Sequence, residues 1–267
     1  MKLFYRKYGN GPPLIILHGL YGSSDNWVTI ARNLSGRYTV YLPDQRNHGQ
    51  SPHSEINDYS SMRDDLFELV SDLKLKKFFL SGHSMGGKTA ISFALKWPEM
   101  LTGLLIADVS PFINESFREK SYSEHLRIIN AILSVDVHQI SSRSEAEKIF
   151  REKIPSEKDR GLILKNLQRM SDNTFTWKLN AKSLLKNLDR LMEGIERQTA
   201  YSQQISGFPV IFLKGENSDY IPKDDFRDIL NLFPGAEIVE VPRAGHWIHA
   251  DRPEEVIKYL LKLFGDM

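Results

Sequence analysis

The sequence predicts an α/β chain: a mostly parallel, twisted sheet flanked by helices, with a helical segment inserted between two sheet strands. Three observations carry that class. Short apolar runs at 14–17 (LIIL), 38–42, 78–80, 104–107 and 208–213 recur with amphipathic segments between them, the rhythm of strands buried on both faces. That rhythm lapses between about 112 and 206, where helical periodicity continues without a buried-strand run. Finally, the stretch 78–87 (FFLSGHSMGG) joins a strand to a helix through Gly82-His83-Ser84-Met85-Gly86, a G-x-S-x-G turn.

Length and charge narrow what such a chain does. At 267 residues it accommodates one large domain with an insertion, and 41% hydrophobic residues supply a sizeable core. A net charge of +1 gives no pull toward nucleic acid or an anionic membrane, and the basic cluster at 74–77 reads as a solvated face. The lack of cysteine removes disulfides, thiol nucleophiles and thiolate metal sites, and fits a reducing compartment. Arg6 and Lys7 interrupt the first apolar run too early for a signal peptide, and no run approaches the roughly 20 residues of a membrane span. The expectation is a cytoplasmic monomer or homodimer acting on a small molecule.

Taken in order, 3–8 alternates and ends at Gly9-Asn10-Gly11-Pro12-Pro13, an edge strand and a turn. The 14–17 strand runs into His18-Gly19-Leu20-Tyr21-Gly22, either an ordinary strand-to-helix turn or the source of a backbone donor to an oxyanion. Trp27, Ile30, Ala31 and Leu34 share a helical face that Ser23, Ser24 or Asp25 can cap. In the polar loop 43–51 (PDQRNHGQS), Asp44 and Arg46 are expected to form a charge-assisted pair. Ser61 is the expected cap of a helix striped by Leu66, Leu69, Val70 and Leu73. Trp97-Pro98 stops the helix behind Ser84, and Asp108 stands at the end of the 104–107 strand. Within the insertion the spacing predicts helices over 118–133, 144–153, 156–170 and 181–195, with 174–179 as a tie between them. A strand at 208–213, a helix near 222–233, a strand at 237–241 and a terminal helix capped by Asp251 complete the chain. The division expected is 1–111 with 207–267 as core and 112–206 as a helical cap.

The chemistry starts at Ser84. A G-x-S-x-G turn holds its serine in a cramped backbone conformation, so glycine is needed two positions to either side. The serine hydroxyl is thrust above the sheet edge, and the helix behind it aims its amides and positive dipole end at the same point. A serine nucleophile needs a base. Of eight histidines, His246 in Arg243-Ala244-Gly245-His246-Trp247 follows the last strand, where a Ser…Asp…His chain order puts the base. His249 is the runner-up, His18 and His83 suit loop support, and His48 suits the pocket lining. A carboxylate must orient the imidazole, and chain order leaves two strand-end candidates, Asp108 and Asp219. The amides of Leu20 and Met85 are the candidate oxyanion donors; only their main chain matters for that role.

Six ordered motifs extend the pattern: 18–27 (HGLYGSSDNW), 43–51 (PDQRNHGQS), 82–88 (GHSMGGK), 107–111 (ADVSP), 215–221 (GENSDYI) and 245–251 (GHWIHAD). On these the chain resembles serine hydrolases of the α/β-hydrolase fold over nearly its full length, and among them the small YbfF-type esterases. In many such enzymes the acid lies three residues beyond the glycine that ends the strand after the cap. That position here is Ser218, with Asp219 one residue late. The YbfF-type pattern implies instead an acid after the preceding strand, at Asp108.

The resemblance further implies a carboxylic-ester hydrolase, without cofactor or metal, acting through an acyl-enzyme on short or medium acyl esters or acyl thioesters. Phe112, Ile113 and Phe117 are candidates for an apolar cap wall. Two other classes stay open. One is a C–C bond hydrolase or a lyase of the same fold, against which a shifted acid argues. The other is a non-catalytic small-molecule binder, which a fluorophosphonate probe would leave unlabelled. Ser84 stands where dehalogenases and epoxide hydrolases carry an aspartate, so both are disfavoured.

Overall fold

The structure is a computed structural model, and it describes residues 1–112, 115–263 and 265. Its strands are β1 (Tyr5–Tyr8), β2 (Pro13–Leu17), β3 (Thr39–Pro43), β4 (Phe78–His83), β5 (Leu101–Ala107), β6 (Leu167–Arg169), β7 (Phe175–Trp177), β8 (Val210–Gly215) and β9 (Glu237–Val241). Seven of them form one sheet in the order β1-β3-β2-β4-β5-β8-β9. In it β1 lies antiparallel to β3 and all other pairings are parallel. The helices are α1 (Val28–Leu34), α2 (Tyr59–Asp72), α3 (Met85–Lys96), α4 (Glu115–Leu133), α5 (Arg143–Lys153), α6 (Glu157–Leu164), α7 (Ala181–Lys186), α8 (Leu188–Leu191), α9 (Arg197–Ser202), α10 (Phe226–Leu232), α11 (Ile248–Asp251) and α12 (Pro253–Leu263).

The unbroken apolar run of β2 follows from its central place in the sheet. Leu14 and Ile16 pack with Trp27, Ile30 and Leu34 beside α1 and with Leu260 of α12. Ile15 and Leu17 turn to the opposite face, against Leu66 and Val70 of α2 and Ala90 and Phe93 of α3. Both pleat directions are buried, so no polar alternation survives in the sequence. A third cluster belongs to the segment between β5 and β8. Ile129, Ile132, Phe150, Leu184 and Leu188 build it, and Leu20, Tyr21, Met62 and Met85 reach into it from the sheet side. Among the described residues, no helix is long and apolar enough to cross a membrane.

Several sequence expectations are corrected. The helix expected over 156–170 stops at Leu164, because β6 pairs with β7 in a separate two-stranded hairpin. The segment 174–179 therefore contributes a hairpin strand. The turn needs Asn173 at φ +68° and is held by Asp172, whose carboxylate accepts the Thr174 amide at 3.0 Å and its hydroxyl at 2.7 Å. The helix expected over 181–195 breaks at Asn187, whose side chain donates to the carbonyls of Ser183 (2.8 Å) and Glu55 (2.9 Å). Asp58, not Ser61, caps α2, accepting the Ser61 amide at 2.8 Å. Asp251 closes α11, accepts the Gly245 amide at 2.9 Å and pairs with Lys158, leaving Pro253 to open α12.

Asp44 and Arg46 do not pair. Asp44 accepts the amides of Ser24 (2.6 Å) and Gln50 (2.8 Å), which ties its own loop to the loop after β2. Arg46 turns to α2 and forks onto Asp65, Nε to Oδ2 at 2.6 Å and Nη2 to Oδ1 at 2.8 Å. It also donates to the carbonyls of Ile56 and Ser61, both at 3.1 Å. The pair is almost wholly buried, with side chains 9% and 3% exposed. Removing one partner of such a pair leaves a bare charge in the interior, which costs about 3–5 kcal/mol. Asp65→Ala should therefore lower the urea midpoint by an amount corresponding to several kcal/mol, and a loss under about 1 kcal/mol would contradict the pairing.

Candidate active site

Strand β4 delivers Ser84 into a turn at φ +51°, ψ −117°, a region hostile to side chains. The two flanking glycines permit it. A Cβ on Gly82 would lie 2.2 Å from the Gly86 carbonyl oxygen, and one on Gly86 would lie 2.5 Å from the Leu17 carbonyl oxygen. No side chain fits either gap. The Ser84 amide donates to the Ala107 carbonyl at 3.0 Å, which keys the turn to the end of β5.

The structure brings Ser84, His246 and Asp108 together. His246 Nε2 lies 3.0 Å from Ser84 Oγ, and His246 Nδ1 lies 2.8 Å from Asp108 Oδ2. A carboxylate only accepts, so Nδ1 carries the proton and Nε2 turns its lone pair toward the serine. Asp108 is fully buried, at φ +50° just past β5. Its Oδ1 accepts the Gly215 amide at 2.8 Å and its Oδ2 accepts the Ser218 hydroxyl as well as the imidazole. The His246 ring stacks on Tyr220 with centroids 3.6 Å apart and planes 14° apart. Its carbonyl accepts from His83 Nε2 at 2.8 Å. Asp219 lies apart at the rim, its side chain 76% exposed and paired with Lys120 at 3.2 Å.

Among the others, five histidines lose basicity to burial, while His53 and His138 stand exposed. His18 donates from Nδ1 to the Gly19 carbonyl (2.9 Å) and accepts the Gln45 amide on Nε2 (2.9 Å). Desolvation keeps its pKa below the usual imidazole value. His83 is pushed well below that value by burial and then by His246. His249 is pushed down to about 3 by burial and lies stacked on Trp27, centroids 4.5 Å apart, and edge-on to His83, centroids 4.8 Å apart. His48 departs from expectation. It lines neither cavity beside Ser84 but sits fully buried behind the loop after β2, donating to the Arg46 carbonyl (2.8 Å) and accepting the Tyr21 amide (3.3 Å). Burial and neighbouring His18 push it down to about 3.

Two adjoining cavities meet at Ser84. The inner one, about 60 Å³, has Leu20, Met85, Val109, Phe112, Phe117, Leu191 and Met192 in its wall. The outer one, about 350 Å³, is edged by Lys120, Glu124, Lys158, Asp159 and Asp219. Phe112 and Phe117 thus stand where an apolar wall was expected, while Ile113 lies outside the described residues. Among those residues, no group of three or more His, Asp or Glu is arranged to hold a metal ion.

Four further residues at the site were given no role by the sequence reading. Ser218 donates to Asp108, and its signal was its position: a hydroxyl three residues beyond Gly215, where the resemblance first directs the search for an acid. Lys88 is one helical turn past Ser84, and its Nζ donates to the Glu193 carbonyl beside the inner cavity; burial lowers it to about 8. Tyr220 and His125 gave no local signal, because their partners come from distant parts of the chain.

Comparisons with known proteins bear on the family and the fold. Residues 12–120 match the family described as alpha/beta hydrolase fold. The sn-1-specific diacylglycerol lipase ABHD11 of Danio rerio is 34% identical over 95% of this chain and 78% of its own. Esterase YbfF of Escherichia coli (strain K12) is 29% identical over 96% of this chain and 94% of its own. Among solved structures, a marine microorganism esterase superposes with a TM-score of 0.90 at 41% identity, covering 98% of this chain and 99% of that one. The chain therefore belongs to the α/β-hydrolase fold family, among its serine esterases.

Proposed function

We propose that the chain hydrolyses carboxylic esters through an acyl-enzyme formed on Ser84, and that the segment 112–206 acts as a cap over the site. The observation that carries this reading is the continuous relay from Ser84 Oγ through His246 to Asp108, at 3.0 and 2.8 Å. Ser84 attacks the ester carbonyl while His246 Nε2 takes its proton. Charge develops on the carbonyl oxygen, which the amides of Leu20 and Met85 stabilise together with the positive end of α3. His246 returns the proton to the leaving alcohol, then activates a water that frees the acid. Asp108 remains a carboxylate throughout, holding the Nδ1 proton and stabilising the imidazolium. An acyl thioester passes through the same steps with a thiol leaving.

The cavities suggest which end of the ester goes where. The inner cavity is the smaller, with Leu20, Val109, Phe112 and Leu191 in its wall, so it suits a short acyl chain. The outer cavity is larger, so it suits the leaving group. Across a series of aryl esters, acetate to hexanoate should be hydrolysed faster than decanoate; a maximum at decanoate or longer would overturn the acyl assignment.

Ser84→Ala removes one exposed oxygen and should abolish turnover with an unchanged melting temperature, whereas residual activity within tenfold of wild type would remove Ser84 from the mechanism. Asp108→Asn presents an amide to the imidazole N–H and favours the wrong tautomer, so kcat/KM should fall by about 10⁴. Asp219→Asn should cost no more than about tenfold, since that carboxylate only edges the outer cavity. The reverse order of losses would exchange the two acids.

His48, His125 and His249 keep neutral rings down to about pH 3. They bind no additional proton between pH 5 and 7. These three rings should therefore add no ionisation of their own to the pH profile of activity over that range, where the base must be neutral to accept from the serine. A limb that needs two groups in kcat/KM would count against His246 as sole base.

A further inference from the structure

Tyr21 lies one residue past the proposed oxyanion donor Leu20, and the triad gives no reason for how firmly it is held. The Gly22 amide donates to the Gly19 carbonyl at 2.9 Å, closing a turn with Leu20 and Tyr21 at its centre. Tyr21 takes the third position at φ +62°, where such turns ordinarily place glycine. A side chain persists there only if its surroundings fix it. Here they do, at every polar atom. The Tyr21 amide donates to His48 Nε2 at 3.3 Å. Its carbonyl accepts from Asn166 Nδ2 at 2.7 Å. Its hydroxyl donates to the His125 carbonyl at 3.3 Å and meets His125 Nδ1 at 3.2 Å. Tyr21 is buried, and so is Asn166.

Two of these partners come from the segment between β5 and β8. His125 lies on α4 and Asn166 just before β6, respectively 104 and 145 positions from Tyr21. The same turn fixes the direction of the Leu20 N–H. The Gly19 carbonyl shares a peptide plane with that N–H and is engaged twice, by the Gly22 amide and by His18 Nδ1 at 2.9 Å. A trans peptide points its N–H away from its carbonyl, so anchoring one aims the other. If Tyr21 relaxed to negative φ the Gly22 amide would be displaced from the Gly19 carbonyl, and the peptide plane that carries the Leu20 N–H would lose one of its two anchors.

We infer that the inserted segment completes the oxyanion hole: Asn166 and His125, acting through Tyr21, are positioning residues that hold the Leu20 amide in its stabilising direction. This deepens the acyl-enzyme reading and rests on it. An amide aimed at developing charge helps the transition state far more than the bound ester. The loss of its aim should fall on kcat rather than KM.

The test uses Tyr21→Phe, which deletes one oxygen, and Asn166→Ala, which frees the Tyr21 carbonyl. Turnover of one short-chain aryl ester is measured beside inhibition by two ketones of the same shape. An aryl trifluoromethyl ketone adds Ser84 Oγ to its carbonyl carbon, the hydroxyl proton passes to His246 Nε2 and the carbonyl π pair becomes the negative charge on oxygen; the plain ketone does not react. We expect kcat to fall about tenfold in Tyr21→Phe and about a hundredfold in Asn166→Ala, with KM within twofold. Affinity for the trifluoromethyl ketone should fall by the same factors, while the plain ketone binds unchanged. A clamp that served stability alone would lower the melting temperature without separating the two ketones. Should Asn166→Ala fail to fold, Tyr21→Phe decides. Losses confined to KM, or kcat and both ketones within twofold of wild type, overturn the inference. Labelling of wild-type Ser84 by a fluorophosphonate separates the two layers. Labelling with unaffected variants removes only the clamp, and no labelling removes the acyl-enzyme reading and the clamp with it.

Discussion

The site depends on a steric constraint, the lack of room beside Ser84. Gly82 faces the Gly86 carbonyl and Gly86 faces the carbonyls of Leu17 and His18, all within distances that exclude a single methyl group. Because these backbones touch, the loops after β2 and β4 leave the sheet side by side, and the Ser84 amide reaches the Ala107 carbonyl at the end of β5. Three consecutive neighbours in the sheet thus open into one crevice at their carboxyl ends, where open α/β sheets place their ligands. The strain at Ser84 is offset by the hydrogen bond to Ala107 and by the α3 backbone that begins at once behind it.

Burial then assigns roles among ionisable groups that look equivalent on paper. Asp108 lies out of water, yet one main-chain amide, one hydroxyl and one imidazole satisfy its two oxygens. Asp219, one position beyond Ser218, is in solvent with a lysine partner, where its charge is screened from the imidazole. The histidines divide in the same way. Those enclosed by the protein, His48 and His249, lose basicity to desolvation. His246 keeps one ring edge on the cavity and a carboxylate behind the other.

How legible this was in the sequence varied with how local each cause is. The sheet strands could be read because burial on both faces leaves uninterrupted apolar runs, and the Ser84 turn because its glycines answer contacts two residues away. Asp44 and Arg46 misled because both suit an ion pair, while their actual partners, Asp65 and the amides of Ser24 and Gln50, are set by neighbouring loops and α2. The inserted segment was hardest. Beyond α4 and α5, which the spacing located, its helices are short, and their periodicity breaks wherever a side chain such as Asn187 turns to bond the core. The β6–β7 hairpin is too short for alternation to reveal. Ser218 was visible as a departure from the common acid position; Tyr220 required the fold.

The inserted segment shares its apolar core with the residues proposed to hold the oxyanion. Leu20, Tyr21 and Met85 pack into the cluster built by Ile129, Phe150 and Leu184. Polar ties run alongside: Trp247 Nε1 to Asp159 at 2.9 Å, the Asn180 amide to the Asn47 carbonyl at 3.0 Å, and the Tyr59 hydroxyl to the Leu191 carbonyl at 2.6 Å. These bonds join the segment to the loops after β9 and β3 and to the start of α2. A lid held by a single hinge would leave the loops beneath it indifferent to its position. Here the contacts fall on the loops that carry the base and the main-chain donors, so displacing the segment would disturb the chemistry as well as open the cavity. On the proposed function, substrate specificity and transition-state stabilisation are coupled through one apolar core, so a change in the segment that reshapes the pocket should also change the turnover number.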